Sequence, residues 1–135
     1  MSGFARQVLK WLQGLDLGIP IKHPKRDFAN GYLIAVIFSR YYPGELRPWS
    51  LYTGNSESLK ENNWMVLEKC LEYLILVFTK HLIDIPREAI DAVMHCQNGA
   101  AIRFVENIYT LLTKNPYLFV FYVVSSILKH PPNLK

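Results

Sequence analysis

The sequence predicts an all-α domain, and three observations carry that prediction. Apolar residues recur at spacings of three and four in several separate stretches, which is the periodicity of amphipathic helices. Gly and Pro residues, which end helices, separate these stretches. Of the 135 residues, 50% are hydrophobic and 19% are charged, so the chain is apolar enough to bury the core of one domain.

The first predicted helix is amphipathic and ends near Gly18 and Pro20. Its apolar stripe consists of Phe4, Val8, Trp11, Leu12 and Leu15. Residues 19–25 then form a loop, which two prolines are expected to keep extended. The basic residues of this loop are expected to face water.

Residues 26–43 are predicted to form one central helix that is apolar on nearly all sides. Asp27 is expected to cap its start and Pro43 to end it, with Asn30 as a helix-start residue. A helix without a polar face lies inside a domain, with other helices packed around it. Gly31 costs about 1 kcal/mol relative to Ala inside a helix, so we expect it to allow a neighbouring helix to approach closely.

An irregular connection follows up to about Lys60, and its aromatic residues are expected to pin it to the surface. Three more helices are predicted after it. They begin at about Asn63, at Pro86 and at about Ala100, and the second ends at Asn98-Gly99. Trp64, like Trp11, is expected to lie in the core.

Residues 117–128 form an apolar stretch without a charged residue. The stretch is shorter than the roughly 17–25 residues that a membrane-spanning helix needs. It is rich in aromatic and β-branched residues, so an extra packed element, a docking strand and an aggregation-prone segment remain open. We favour packing against the helices, and we divide the chain into a domain at 1–115 and an apolar tail at 116–135.

The positive charge is concentrated in one half of the chain. The net charge is +4, and residues 1–60 hold eight Lys and Arg against four Asp and Glu, whereas the remainder is balanced. A one-sided basic surface favours an acidic partner, and a solvated basic edge is the alternative interpretation. The residues that carry this excess are Lys22, Lys25, Arg26, Arg40 and Arg47.

No pattern in the sequence indicates catalysis. The four histidines are scattered, and no serine elbow, glycine-rich phosphate loop or carboxylate pair is recognisable. Cys70 and Cys96 lack paired spacing, which is typical of buried free thiols in a reducing compartment, with a disulfide as the alternative. We therefore expect a cytoplasmic protein without enzymatic activity, cofactor or metal.

The order of these elements resembles the calponin-homology domain, in the branch found in sperm flagellar protein 1 and spermatogenesis-associated protein 4. The residues that carry the resemblance are 8–12, 26–35, 38–43, Asn63-Trp64, Ile85-Pro86, 92–96, 99–101 and 108–112. The resemblance covers about residues 5–114 and is closer to spermatogenesis-associated protein 4. The chain departs from the family in a longer interval before Ile85, in Asn98-Gly99 where relatives often have Pro-Gly, and in the apolar tail.

The resemblance implies a compact helical domain that binds proteins, in particular the microtubules of cilia and sperm flagella. We expect the contact residues to be the five cations named above, with Trp49 as an aromatic anchor and Lys10 and Lys60 as second choices. Simple solvation of each cation, and a loop-pinning role for Trp49, are the alternative interpretations. Actin, or an axonemal or signalling scaffold, is the alternative partner. We expect neither nucleic acid nor a membrane span.

Overall fold

The computed structural model describes residues 3–79 and 85–113, and over these residues it contains helices and no strand. The prediction of an all-α fold is confirmed. Residues 116–135, and with them the predicted domain boundary, lie outside the described residues. The helices are α1 Arg6–Leu15, α2 Pro24–Asp27, α3 Tyr32–Tyr41, α4 Glu57–Thr79, α5 Arg87–Met94 and α6 Ala100–Thr113, with a 3₁₀ turn at Pro48–Ser50.

Helix α3 is the centre of the domain, as its all-round apolar sequence predicts. Every residue from 33 to 38 is buried. One continuous core surrounds it, with buried residues from α1, α4, α5 and α6. The polar sides of the other helices therefore form the surface.

The predicted single helix from residue 26 is wrong, because the chain turns between α2 and α3. Gly31 has a φ of +78°, which lies outside helical backbone, and α3 begins at the next residue. Asp27 caps α2 instead, since its carboxylate accepts hydrogen bonds from the N–H groups of Lys22 and His23 at 2.8 and 2.9 Å. Pro24 starts α2, so the extended loop is shorter than expected.

Asn30 has the helix-start role that the sequence predicts. Its Oδ1 accepts a hydrogen bond from the N–H of Tyr32 at 2.9 Å. Its Nδ2 donates to the carbonyl of Gly54 at 3.2 Å, which holds the α3–α4 connection beside α2. The buried side-chain amide of Asn30 therefore stabilises both the turn before α3 and the contact with the α3–α4 connection.

Helix α4 begins at Glu57, earlier than the predicted start at Asn63. Asn63 is instead a buried residue inside the helix. Its Nδ2 donates to the carbonyls of Asn30 and Tyr52, at 2.9 and 2.7 Å, and its Oδ1 accepts from the Tyr52 N–H. One side chain thus joins α4 to the α2–α3 turn and to the connection.

The three tryptophans differ in their environments. Trp64 is fully buried, as predicted. Trp11 is half-buried rather than core, and its Nε1 donates to the Tyr41 hydroxyl at 2.8 Å. Trp49 is 77% exposed, so the interpretation of this residue as a loop pin is wrong. Tyr42 and Pro48, which are buried, attach the connection to the core.

Candidate protein-interaction surface

The cations that the sequence singles out remain exposed in the folded chain. Lys22, Lys25, Arg26, Arg40 and Arg47 all have exposed side chains. The ion pairs of the described residues involve Lys60, Arg87 and His95, and none of the five cations has a described carboxylate within 4.0 Å. None of these five cations is therefore held in an ion pair by a described acid.

Three of these cations lie together at α2, and we call Lys22, Lys25 and Arg26 the α2 basic group. The Lys25 Nζ donates to the Asn98 Oδ1 at 2.7 Å, which links α2 to the turn before α6. Asp27 forms no ion pair with these cations, and its carboxylate accepts hydrogen bonds from the N–H groups of Lys22 and His23 instead. The group thus presents cations on a short, anchored helix.

Arg40 lies in the last turn of α3, at the other end of this helix from α2. A ten-residue helix is about 15 Å long, so the predicted set of cations is divided along α3. The Arg40 guanidinium donates to the carbonyls of Leu15 and Asp16, at 3.0 and 2.7 Å. It thus provides hydrogen-bond donors for carbonyl groups at the C-terminal end of α1, which have no partner within the helix. Arg40 has this structural role whether or not it also contacts a partner.

Arg47 and Trp49 lie at the 3₁₀ turn between α3 and α4. Arg47 lines a shallow hollow together with Ser50 and Val66. Val66 is 62% exposed on α4, and Met65 beside it is also exposed. Trp and Arg are the residue types enriched at binding hot spots.

Lys60, a second choice for this surface, does not belong to it. It is only 7% exposed, and its Nζ donates to the buried Met94 carbonyl at 3.1 Å and lies 3.7 Å from the Glu57 carboxylate. A buried ammonium group needs such partners. Lys10, the other second choice, is exposed on α1.

An apolar cavity of about 410 Å³ lies between α4, α5 and α6. Its lining includes Phe38, Leu71, Phe104 and Ile108, and no titratable side chain of the described residues reaches it. In the described part of the chain, His, Cys, Asp and Glu form no group of three that could hold a metal. No helix among residues 3–79 and 85–113 is both long and apolar enough to cross a membrane.

Both cysteines are free, and each is half-buried rather than fully buried as expected. Burial, with a smaller contribution from Glu45, raises the pKa of the Cys70 thiol. A raised pKa keeps the group as an unreactive thiol at neutral pH. Cys70 therefore behaves as a packing residue, in agreement with the interpretation from the sequence.

A polar hollow beside the α2 basic group is not predictable from the sequence. Arg26 lines it together with Tyr32, Thr53 and Asn55. No sequence motif connects Arg26 with Thr53 and Asn55, which the hydrogen bond from Asn30 to Gly54 brings alongside α2. The cluster of cations around α2 indicates Arg26 as a candidate binding residue, but it gives no indication of Thr53 or Asn55.

Comparison with known proteins places these features in a family. The family model described as "CH-like domain in sperm protein" matches residues 8–110. Sperm flagellar protein 1 of Xenopus laevis is 24% identical over 94 residues, which cover 70% of this chain and 38% of that protein. Sperm flagellar protein 1 of Bos taurus and of Mus musculus is each 25% identical over 93 residues, which cover 69% of this chain and 37% of those proteins.

The chain thus spans well under two thirds of the length of these relatives. The resemblance to the calponin-homology branch that contains sperm flagellar protein 1 is confirmed. The closer relation to spermatogenesis-associated protein 4 stays a prediction.

Proposed function

We propose a function from the premise that this chain belongs to the family of CH-like domains in sperm proteins. The domain is a non-enzymatic cytoskeletal module that binds the microtubules of cilia or sperm flagella through its basic surface. The observation that carries the proposal is that the exposed cations of α2 and the α3–α4 connection lack carboxylate partners among the described residues. The microtubule surface is acidic, so it supplies carboxylates that can pair with these cations.

The two parts of the surface have different roles in this proposal. The α2 basic group attracts and orients the acidic partner, since complementary charge mainly increases association rate and specificity. Arg47 and Trp49 supply a contact that loses water on binding, and such contacts carry most of the binding energy. At physiological ionic strength the Debye length is about 8 Å, so binding that depends on exposed charges weakens as salt is added.

Charge reversal in the α2 basic group is expected to weaken microtubule binding about tenfold or more at low salt. The variants are Arg26→Glu and the double variant Lys25→Glu with Arg26→Glu, measured by co-sedimentation. Both positions are exposed, and surface substitutions change stability by only about 0.5 kcal/mol. The melting temperature should therefore stay within a few degrees of that of the unmodified chain.

Lys69→Glu is the matched control for Arg26→Glu, because it makes the same change of charge at an exposed position of α4. It should weaken pelleting much less. Unchanged pelleting of the double variant would remove the α2 basic group from the interface. Parallel sedimentation with actin filaments tests the alternative partner, and retention on actin without retention on microtubules would replace the proposal.

Trp49→Ala is expected to weaken microtubule binding by about 2 kcal/mol, which is the typical loss at a hot spot. The side chain is 77% exposed, so its truncation leaves no cavity and should leave the unfolding midpoint nearly unchanged. Leu59→Ala, which truncates another exposed apolar side chain on α4, is the control. Equal binding by Trp49→Ala and by the unmodified chain would show that the Trp49 side chain does not contribute to the interface.

A further inference from the structure

A polar hollow of about 200 Å³ lies between α2, the start of α3 and the connection before α4. Ile19 and Leu33 contribute apolar surface, and the polar lining residues are Arg26, Asp27, Asn30, Tyr32, Thr53 and Asn55. Small-molecule sites usually have volumes of about 300–1,000 Å³. This hollow is therefore sized for one side chain of a partner rather than for a free metabolite.

Four polar side chains around the hollow have no hydrogen-bond partner among the described residues. The side chains of Arg26, Thr53 and Asn55, and the Tyr32 hydroxyl, have no hydrogen bond or ion pair to another described residue. The hydrogen bond from Asn30 to the Gly54 carbonyl holds the backbone of the connection against α2. A guanidinium and three smaller polar groups thus line one small volume.

The other polar groups that line the hollow already have hydrogen-bond partners. Asp27 also lines it, but its carboxylate accepts two backbone N–H groups, from Lys22 and His23. The Asn30 amide is engaged by Tyr32 and Gly54. The Asp27 carboxylate keeps its negative charge, but it is used by backbone donors, whereas the Arg26 guanidinium has no carboxylate partner among the described residues.

We propose that this hollow binds a carboxylate, namely the side chain of a glutamate in an acidic partner. A guanidinium pairs with a carboxylate through two parallel hydrogen bonds, and the hydroxyls of Thr53 and Tyr32 supply further donors. The apolar surface of Ile19 and Leu33 suits the methylene groups of glutamate. The inference rests on the proposed function, since it specifies that Arg26 of the α2 basic group binds a glutamate carboxylate of the acidic partner.

The test is an NMR titration of the full chain at low salt with a glycine pentapeptide that carries one central glutamate and has both ends blocked. We expect this peptide to shift the backbone amide resonances of Arg26, Thr53 and Asn55. The same peptide with a central glutamine should leave them unchanged. A third peptide has the central glutamine and a free carboxyl terminus, and a response to this peptide alone would overturn the assignment to a side chain.

Three variants separate the hollow from the general positive field of the domain. Arg26→Gln should weaken binding of the glutamate peptide about tenfold, because it removes the charge-assisted pair. Thr53→Val should weaken it about threefold without any change of charge. Arg6→Gln, the matched control, removes one exposed positive charge on α1, outside the hollow, and should have little effect.

Two results in this series would overturn the hollow as a binding site. One is equal weakening by Arg6→Gln and Arg26→Gln, and the other is unchanged binding by Thr53→Val. Co-sedimentation separates this inference from the proposed function. If the chain pellets with microtubules but does not bind the peptide, the hollow fails alone; if it binds the peptide but does not pellet, the proposed function fails alone.

Discussion

Trp64→Ala is expected to lower the free energy of unfolding by about 3–5 kcal/mol, the usual cost of truncating a buried tryptophan. The Trp64 side chain is fully buried, and its ring meets the Phe104 ring edge-on at 5.6 Å between centroids. The ring also contacts the turn at Gly31, so its loss opens a cavity between α3, α4 and α6. Since domains are stable by only about 5–15 kcal/mol, this single change removes a large share of stability.

Part of the Trp64 contribution comes from one hydrogen bond. Its Nε1 donates to the buried carbonyl of Ala29 at 2.8 Å. Trp64→Phe retains most of the apolar contact but leaves this carbonyl without its donor, which costs about 1–3 kcal/mol. The stability of Trp64→Phe should therefore lie between those of Trp64→Ala and the unmodified chain.

Urea unfolding followed by far-ultraviolet circular dichroism measures these changes without relying on tryptophan fluorescence. The other two tryptophans provide internal controls. Trp11→Ala should cost less than Trp64→Ala because Trp11 is half-buried, and Trp49→Ala should cost almost nothing. A different ranking, with Trp49→Ala as costly as Trp64→Ala, would contradict this account of the core.

The central helix was predictable because its signal is local. Residues 33–38 are apolar without interruption, and burial of such a helix does not depend on which neighbour covers it. The break before it was not predictable from the same pattern. Gly31 is compatible with both a helix interior and a turn of positive φ, and the packing of Trp64 and Leu67 against it accompanies the turn.

The start of α4 was missed because its first residues do not repeat with a helical period. Glu57 and Ser58 face solvent, whereas Lys60 and Asn63 are polar residues that point inward. Their partners include the carbonyls of Met94 and Asn30, which lie 34 and 33 positions away in the sequence. A buried polar residue can be recognised only when such distant partners are known.

The candidate surface shows the same division between local and distant information. The excess of positive charge in the first 60 residues is a property of composition, so it can be counted directly from the sequence. The separation of Arg40 from the α2 basic group depends on the length and position of α3. The neighbours of Arg26 at Thr53 and Asn55 depend on one long-range hydrogen bond, from Asn30 to Gly54.

Gly31→Ala is expected to destabilise the domain by about 2–5 kcal/mol, for two separate reasons. The φ of +78° at Gly31 is unfavourable for a residue with a Cβ, by roughly 1–2 kcal/mol. The added Cβ would also lie 3.0 Å from the Leu67 Cδ2 and 3.1 Å from the Trp64 Cε2. Both neighbours are buried, so relief of this contact requires repacking, and overpacking typically costs about 1–3 kcal/mol.

Gly14→Ala is the matched control, because it makes the same chemical change and should have the opposite sign. Gly14 lies in α1 with exposed surroundings, and a Cβ there would meet no atom within 4 Å. Replacement of a helical glycine by alanine stabilises by about 0.5–1 kcal/mol. Urea unfolding should therefore move the midpoint upward for Gly14→Ala and strongly downward for Gly31→Ala. Similar midpoints for the two variants would mean that the turn before α3 tolerates a side chain and that the close approach of α4 does not constrain it.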